Sequence, residues 1–135
     1  MIRVVLDTNV IVSALLVPTG LEASVLLLGL QKHVELCVST PILLEYEEVL
    51  QRPRLKLQRK EVAEVLANIQ ANGFLVHPTK TVRLSTHEPD NRIYECAGEA
   101  NADYIVTGNK KHFPDDYKNA KVVNARELLE RLRNS

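Results

Sequence analysis

Short β-branched apolar runs alternate along the chain with longer stretches in which apolar positions recur at helical spacing. Ile2 to Leu6 predicts a first strand. Polar Asp7-Thr8-Asn9 and the apolar run Val10 to Val17 follow, the latter long enough for a helix although periodicity alone leaves it ambiguous. Pro18-Thr19-Gly20 breaks the chain before a helix over Leu21 to Leu30 and a strand over Val34 to Val38. Ser39-Thr40-Pro41 joins capping residues to a proline at the first helical position and opens a helix to about Leu50. Lys60 to Ala71 predicts an amphipathic helix closed by Asn72-Gly73, and Phe74 to Val76 a third strand. Pro89-Asp90 opens a helix to about Ala100. Tyr104 to Thr107 and Lys121 to Val123 read as strands, and Ala125 to Leu132 as a closing helix. Such alternation requires crossover connections, so the expected fold is a three-layer α/β/α domain with a mostly parallel central sheet of four to five strands. With no repeat, linker or low-complexity tract, residues 1–135 read as one domain.

Open parallel sheets bind ligands beyond the carboxyl ends of their strands. Asp7 follows the first strand, Thr107-Gly108-Asn109 the fourth, and the helices starting at that edge carry Glu45 and Asp90. Ile42, Leu43, Tyr46, Val49 and Leu50 form one stripe of their helix, with Glu45 on one border, Glu47 on the other and Glu48 pointing away, so periodicity does not choose between Glu45 and Glu47. Asp90 shares a side with Ile93, Tyr94 and Ala97, which turns it toward the sheet. Carboxylates gathered this closely repel unless a cation separates them. Oxygen donors beside a phosphate substrate suit Mg²⁺ or Mn²⁺, and without a helical His pair or Cys set zinc is disfavoured. The structural alternative is that Asp7 and Asp90 are helix caps and Glu45 a solvated helix residue.

Lys plus Arg and Asp plus Glu are 17 each, so nucleic-acid binding requires a local patch. The densest positive run holds Arg52, Arg54, Lys56, Arg59 and Lys60, and Lys110, Lys111 and His112 add charge near the proposed edge. These are the candidate RNA contacts. Without Trp, base stacking falls to Tyr46, Tyr94, Tyr104 and Tyr117. Cys37 and Cys96, each within an apolar stretch, read as small buried hydrophobes of a reducing cytoplasm. No apolar stretch is long enough to cross a bilayer, so a cytoplasmic location and no membrane partner are expected. The four scattered histidines give no catalytic pairing.

The segments VVLDTNVIVSALL with Asp7, STPILLEYEEVL with Glu45, EPDNRIYECA with Asp90 and ADYIVTGNKKHFP with Asn109 together resemble the PIN domain, a metal-dependent ribonuclease fold, over nearly the whole chain. Their order and spacing resemble the branch regarded as toxins of toxin–antitoxin pairs. The resemblance selects Glu45 over Glu47. It implies an endoribonuclease in which Asp7, Glu45, Asp90 and Asn109 hold Mg²⁺ or Mn²⁺, with the hydroxyls of Thr8, Ser39 and Thr107 hydrogen-bonding around them. It also implies an RNA substrate, a homodimer and a small antitoxin partner. Many PIN nucleases carry aspartate where Asn109 stands, and an amide oxygen binds a cation more weakly. Asp115 and Asp116 are possible compensators that read better as an exposed turn, and Glu95 lies too far round its helix from Asp90. The departure leaves open a weak or inactive PIN-fold module that binds RNA or protein. An aspartyl phosphatase would need aspartate at Asn9, and a dinucleotide fold a glycine-rich turn after the first strand.

Overall fold

The computed structural model describes residues 1–134. Five strands, β1 (Arg3–Leu6), β2 (Glu35–Val38), β3 (Phe74–Leu75), β4 (Tyr104–Val106) and β5 (Lys121–Val123), form one sheet in the order β3-β2-β1-β4-β5. Every pairing is parallel. Six helices connect them: α1 (Thr8–Leu16), α2 (Leu21–Leu30), α3 (Thr40–Leu50), α4 (Arg59–Asn72), α5 (Glu88–Ala100) and α6 (Ala125–Arg133). The three-layer α/β/α expectation is met. Beyond their first residues the central strands are apolar because both faces are covered. Val4, Val5, Leu6, Leu36, Cys37, Val38, Ile105 and Val106 are all essentially inaccessible.

The order of strands follows from the crossovers. The chain steps outward from β1 to β2 and β3, and α5 then carries it back across the sheet to β4, touching β1, β2 and β4 on the way. Helices α2 and α6 pack on β2 and β4 and on each other, on the opposite face. Because all strands run one way, Asp7, Ser39 and Thr107 emerge at a single edge. The returning helix α5 must begin there too, which delivers Asp90 in its first turn. The other end of the sheet is tied by Arg3, which reaches Glu35 at 2.7 Å, the Ala100 carbonyl at 2.9 Å and, through its backbone N–H, Asp103 at 2.8 Å.

Two 3₁₀ turns, Pro53–Leu55 and Lys110–His112, lie where the sequence reads as loop. Helix α1 starts at Thr8 rather than Val10, and α5 at Glu88, with Pro89 inside the first turn where its missing N–H costs nothing. Cys37 and Cys96 are buried and free, and burial pushes the Cys37 thiol up to about 12 and that of Cys96 higher still. Among the described residues, no single helix is long and apolar enough to cross a membrane.

Candidate active site

Asp7 stands at the N-cap position of α1 in extended geometry, yet its side chain makes no capping bond. Its carboxylate instead accepts a 2.8 Å hydrogen bond from the Thr107 hydroxyl. Thr107 is wholly buried, and its oxygen in turn accepts the Asn109 N–H at 3.1 Å. A line of hydrogen bonds thus runs from the loop after β4 to the carboxylate after β1. Asn9 closes the same junction by accepting the Gly108 N–H at 3.0 Å. Asp7 is only 7% exposed and Asp90 3%. Burial chiefly, and then the charge of Asp90, raise the Asp7 pKa, while the bond from Thr107, the Thr8 backbone N–H and His112 act in the opposite direction.

Asp90 is not a capping residue either, since α5 has no side-chain cap. Its neighbours are imidazoles: His87 Nδ1 lies 3.3 Å from one carboxylate oxygen and His112 Nδ1 3.9 Å from the other. Sequence reasoning gave His87 no role and read His112 only as charge near the edge, because the two are 25 positions apart and meet only through the return of α5 to the edge where β4 ends. The spacing His87-x-x-Asp90 at a helix start was the one legible signal.

The remaining expected site residues fare differently. Glu45 is half-buried on α3 and Glu47 exposed. Asn109 is exposed, and its side-chain oxygen caps the turn at Lys110–His112 by accepting the Lys111 N–H at 3.1 Å. Ser39 caps α3 through the Ile42 N–H, so its oxygen serves the helix. At Thr8 it is the backbone N–H, not the expected hydroxyl, that acts on Asp7. Glu95 is spent on the Val82 N–H and Arg92, and Asp116 on the Val122 N–H. Among the described residues, no three His, Cys, Asp or Glu side chains converge tightly enough to form a ready-made metal site. The imidazoles of His87 and His112 each pair with Asp90, whose charge in turn raises the Asp7 pKa. A pair of carboxylates is nonetheless a sufficient protein contribution for Mg²⁺, which keeps several waters.

The expected RNA contacts divide. Lys110 is ion-paired with Glu127, which lowers the Glu127 pKa, and Arg52 is paired with Glu48 at 2.9 Å. Arg54, Lys56, Arg59, Lys60 and Lys111 are exposed. Arg52, Lys56 and Arg59 line a groove of about 750 Å³ between the end of α3 and the start of α4, floored by Leu50, Leu57, Val62 and Leu66. No aromatic side chain lines it. Tyr46 and Tyr94 are core residues and cannot stack on bases, which corrects that expectation. Tyr94 packs against Phe113 and Tyr117, and Tyr104 lies beneath Arg131.

Replacing Thr107 by valine keeps the volume but removes the donor to Asp7. The Asp7 pKa should then rise further, since the bond from Thr107 is the largest influence holding it down. Carboxyl NMR titration of parent and variant checks this, and the lost buried hydrogen bonds should cost about 1–2 kcal/mol in denaturant unfolding.

The chain resembles known proteins over most of its length. The PIN domain family profile matches residues 3–111. An uncharacterized protein of Methanocaldococcus jannaschii is 29% identical over 112 residues, 81% of this chain and 72% of that protein. The fold matches a chain in the crystal structure of VapBC2 from Rickettsia felis bound to a DNA fragment from their promoter, with a TM-score of 0.62 at 18% identity, covering 91% of this chain and 98% of that one. A profile match across four-fifths of the residues, on a parallel five-stranded sheet with acidic residues at its carboxyl edge, makes the chain a member of the PIN domain family.

Proposed function

We propose that the protein is a divalent-metal-dependent endoribonuclease whose catalytic centre is built on Asp7 and Asp90, and that it is the toxin of a toxin–antitoxin pair. One observation carries the reading: two buried carboxylates from distant parts of the chain stand at the ligand-binding edge, near enough for the charge of Asp90 to raise the Asp7 pKa, and neither caps its helix. Leaving two such charges adjacent is costly unless a cation is meant to lie between them. Asp7 and Asp90 would hold Mg²⁺ or Mn²⁺, with Glu45 and Asn109 as further oxygen donors. The bound ion supplies an activated water and neutralises charge developing on the phosphate. Thr107 orients Asp7, and the exposed cations Arg54, Lys56, Arg59, Lys60 and Lys111 attract the RNA backbone without selecting sequence.

Similarity to the fold of a VapBC2 chain supports an antitoxin partner. Leu16, Val17 and Leu27 are exposed on α1, α2 and their connection, and this apolar surface supports a homodimer. The engagement of the Asn109 oxygen in capping favours the second reading, a module that binds RNA or protein without cutting.

Chelation separates the two. With unstructured RNA and Mg²⁺ or Mn²⁺, the protein should leave fragments with 5′-phosphate and 3′-hydroxyl ends, and EDTA should stop cleavage. RNA retained intact in the presence of either metal supports the binding module instead.

A further inference from the structure

The exposed cations would attract RNA without reading it, and a second cavity carries what they lack. It holds about 330 Å³ and opens where α1, α2, the chain after β4 and the start of α6 meet. Val10, Leu21 and Ala125 give it apolar walls, Val10 and Ala125 being buried. Two side chains of opposite charge line it from separate helices, Glu22 in the first turn of α2 and Arg126 in the first turn of α6. Among the described residues neither takes part in a hydrogen bond or an ion pair. We propose that this cavity is a base-specificity pocket that receives one unstacked guanine of the RNA, with Arg126 reading its O6 and N7 and Glu22 its N1–H and N2 amino group. The inference rests on the ribonuclease reading above.

The pocket and the base match in size and chemistry. The volume lies at the lower end of the range for small-molecule sites, about 300 to 1000 Å³, which suits one base rather than a stacked pair. A base taken out of its stack is held between apolar side chains and read by hydrogen bonds along its edges. A site for phosphate alone would not carry a carboxylate, because Glu22 repels it. A ligand that satisfies both an unpaired guanidinium and an unpaired carboxylate presents two acceptors to one and two donors to the other. Guanine does this on separate edges. Cytosine offers a carboxylate only one amino group, and adenine and uracil offer no paired donors.

The location ties this pocket to the candidate centre. Thr107, whose hydroxyl donates to Asp7, lines the same cavity, as does Gly108, whose N–H is held by Asn9. A base seated there leaves its own phosphodiester beside Asp7, so cleavage should fall next to guanine.

The binding test needs no metal. In EDTA, the protein is titrated with the 5′-monophosphates of guanosine, inosine, adenosine, cytidine and uridine, with the methyl NMR signals of Val10, Leu21 and Ala125 as reporters. The guanosine nucleotide should bind about tenfold or more tightly than those of adenosine, cytidine and uridine. The inosine nucleotide lacks the N2 amino group, so it should bind the parent more weakly than the guanosine one and equally well in Glu22→Gln. Arg126→Lys should weaken the guanosine nucleotide about tenfold, since an ammonium cannot make the paired bonds. Both substitutions lie at the rim, so circular dichroism of the variants should match the parent. A second arm digests RNA holding guanine at one defined position, with Mg²⁺ or Mn²⁺. Cleavage beside that guanine, relaxed in Arg126→Lys, supports the pocket. Equal binding of all five nucleotides, a tighter adenosine or cytidine nucleotide, or cleavage without base preference overturns it and leaves the ribonuclease reading standing. Selective guanosine binding with no RNA cut by either metal keeps the pocket and overturns the ribonuclease reading.

Discussion

Asp7→Asn should, on the proposed ribonuclease reading, lower RNA cleavage by about a thousandfold or more, while making the protein more stable at neutral pH. Both effects come from one charge. The asparagine side chain still offers an oxygen to the Thr107 hydroxyl, so the local fold has no reason to change. What disappears is an ionised group that is 7% exposed, beside the charge of Asp90. Burial and that neighbour hold the Asp7 pKa above its ordinary value. Between the ordinary value and the raised one, the folded chain keeps a proton that the unfolded chain has released. Stability therefore falls as pH rises through that window, and the penalty stands in full above it. The variant escapes this penalty at pH 7 and loses its advantage below about pH 4, where both states of the parent are protonated. Thermal unfolding should show the variant melting a few degrees higher, on the order of 2–5 °C, at pH 7 and equal to the parent in acid. A variant that cleaves RNA at the parent rate would remove Asp7 from the centre. One that melts lower at pH 7 would show that its charge is stabilised by contacts other than those around Thr107.

This coupling also explains what the amino-acid order does and does not disclose. The layers were legible because parallel strands buried on both faces must be nearly all apolar, and runs such as Val34 to Val38 have no other reading between breaks. Asp7 was legible because it directly follows such a run. The helical stripe placed Glu45 and Glu47 on opposite borders, and the fold buries Glu45 partly while leaving Glu47 in solvent. The Thr107 bond to Asp7 spans a separation of 100 residues, set by β4 lying beside β1. No local pattern records it. Likewise, a histidine in a charged stretch, Lys110-Lys111-His112, looks like solvent-exposed surface until α5 brings Asp90 within 3.9 Å. The capping of α3 by Ser39 was legible in Ser39-Thr40-Pro41, whereas nothing local records that the Asn109 side-chain oxygen caps the turn after it by accepting the Lys111 N–H.

Tyr46→Ala should cost about 3–5 kcal/mol, the largest single loss of stability expected in the chain, and measurable as a shift of the urea midpoint. Tyr46 is completely inaccessible in the middle of α3, and its hydroxyl donates to the carbonyl of Leu6, the residue before Asp7. Burial raises its pKa well above the ordinary value, so it remains a protonated donor at every working pH. The ring fills core volume, whereas the hydroxyl fixes the last peptide of β1, and two substitutions separate these roles. Tyr46→Phe keeps the ring and should lose only about 1–2 kcal/mol, the cost of a buried bond unmade. It frees the Leu6 carbonyl in the peptide that leads into Asp7, so on the proposed metal-centre reading divalent-ion affinity should fall while unfolding remains cooperative. Equal stability of the phenylalanine variant and the parent, with unchanged ion affinity, would mean that α3 holds the site by packing alone. A fall in affinity without a comparable fall in stability would make this hydroxyl the link by which α3, the helix carrying Glu45, sets the position of Asp7.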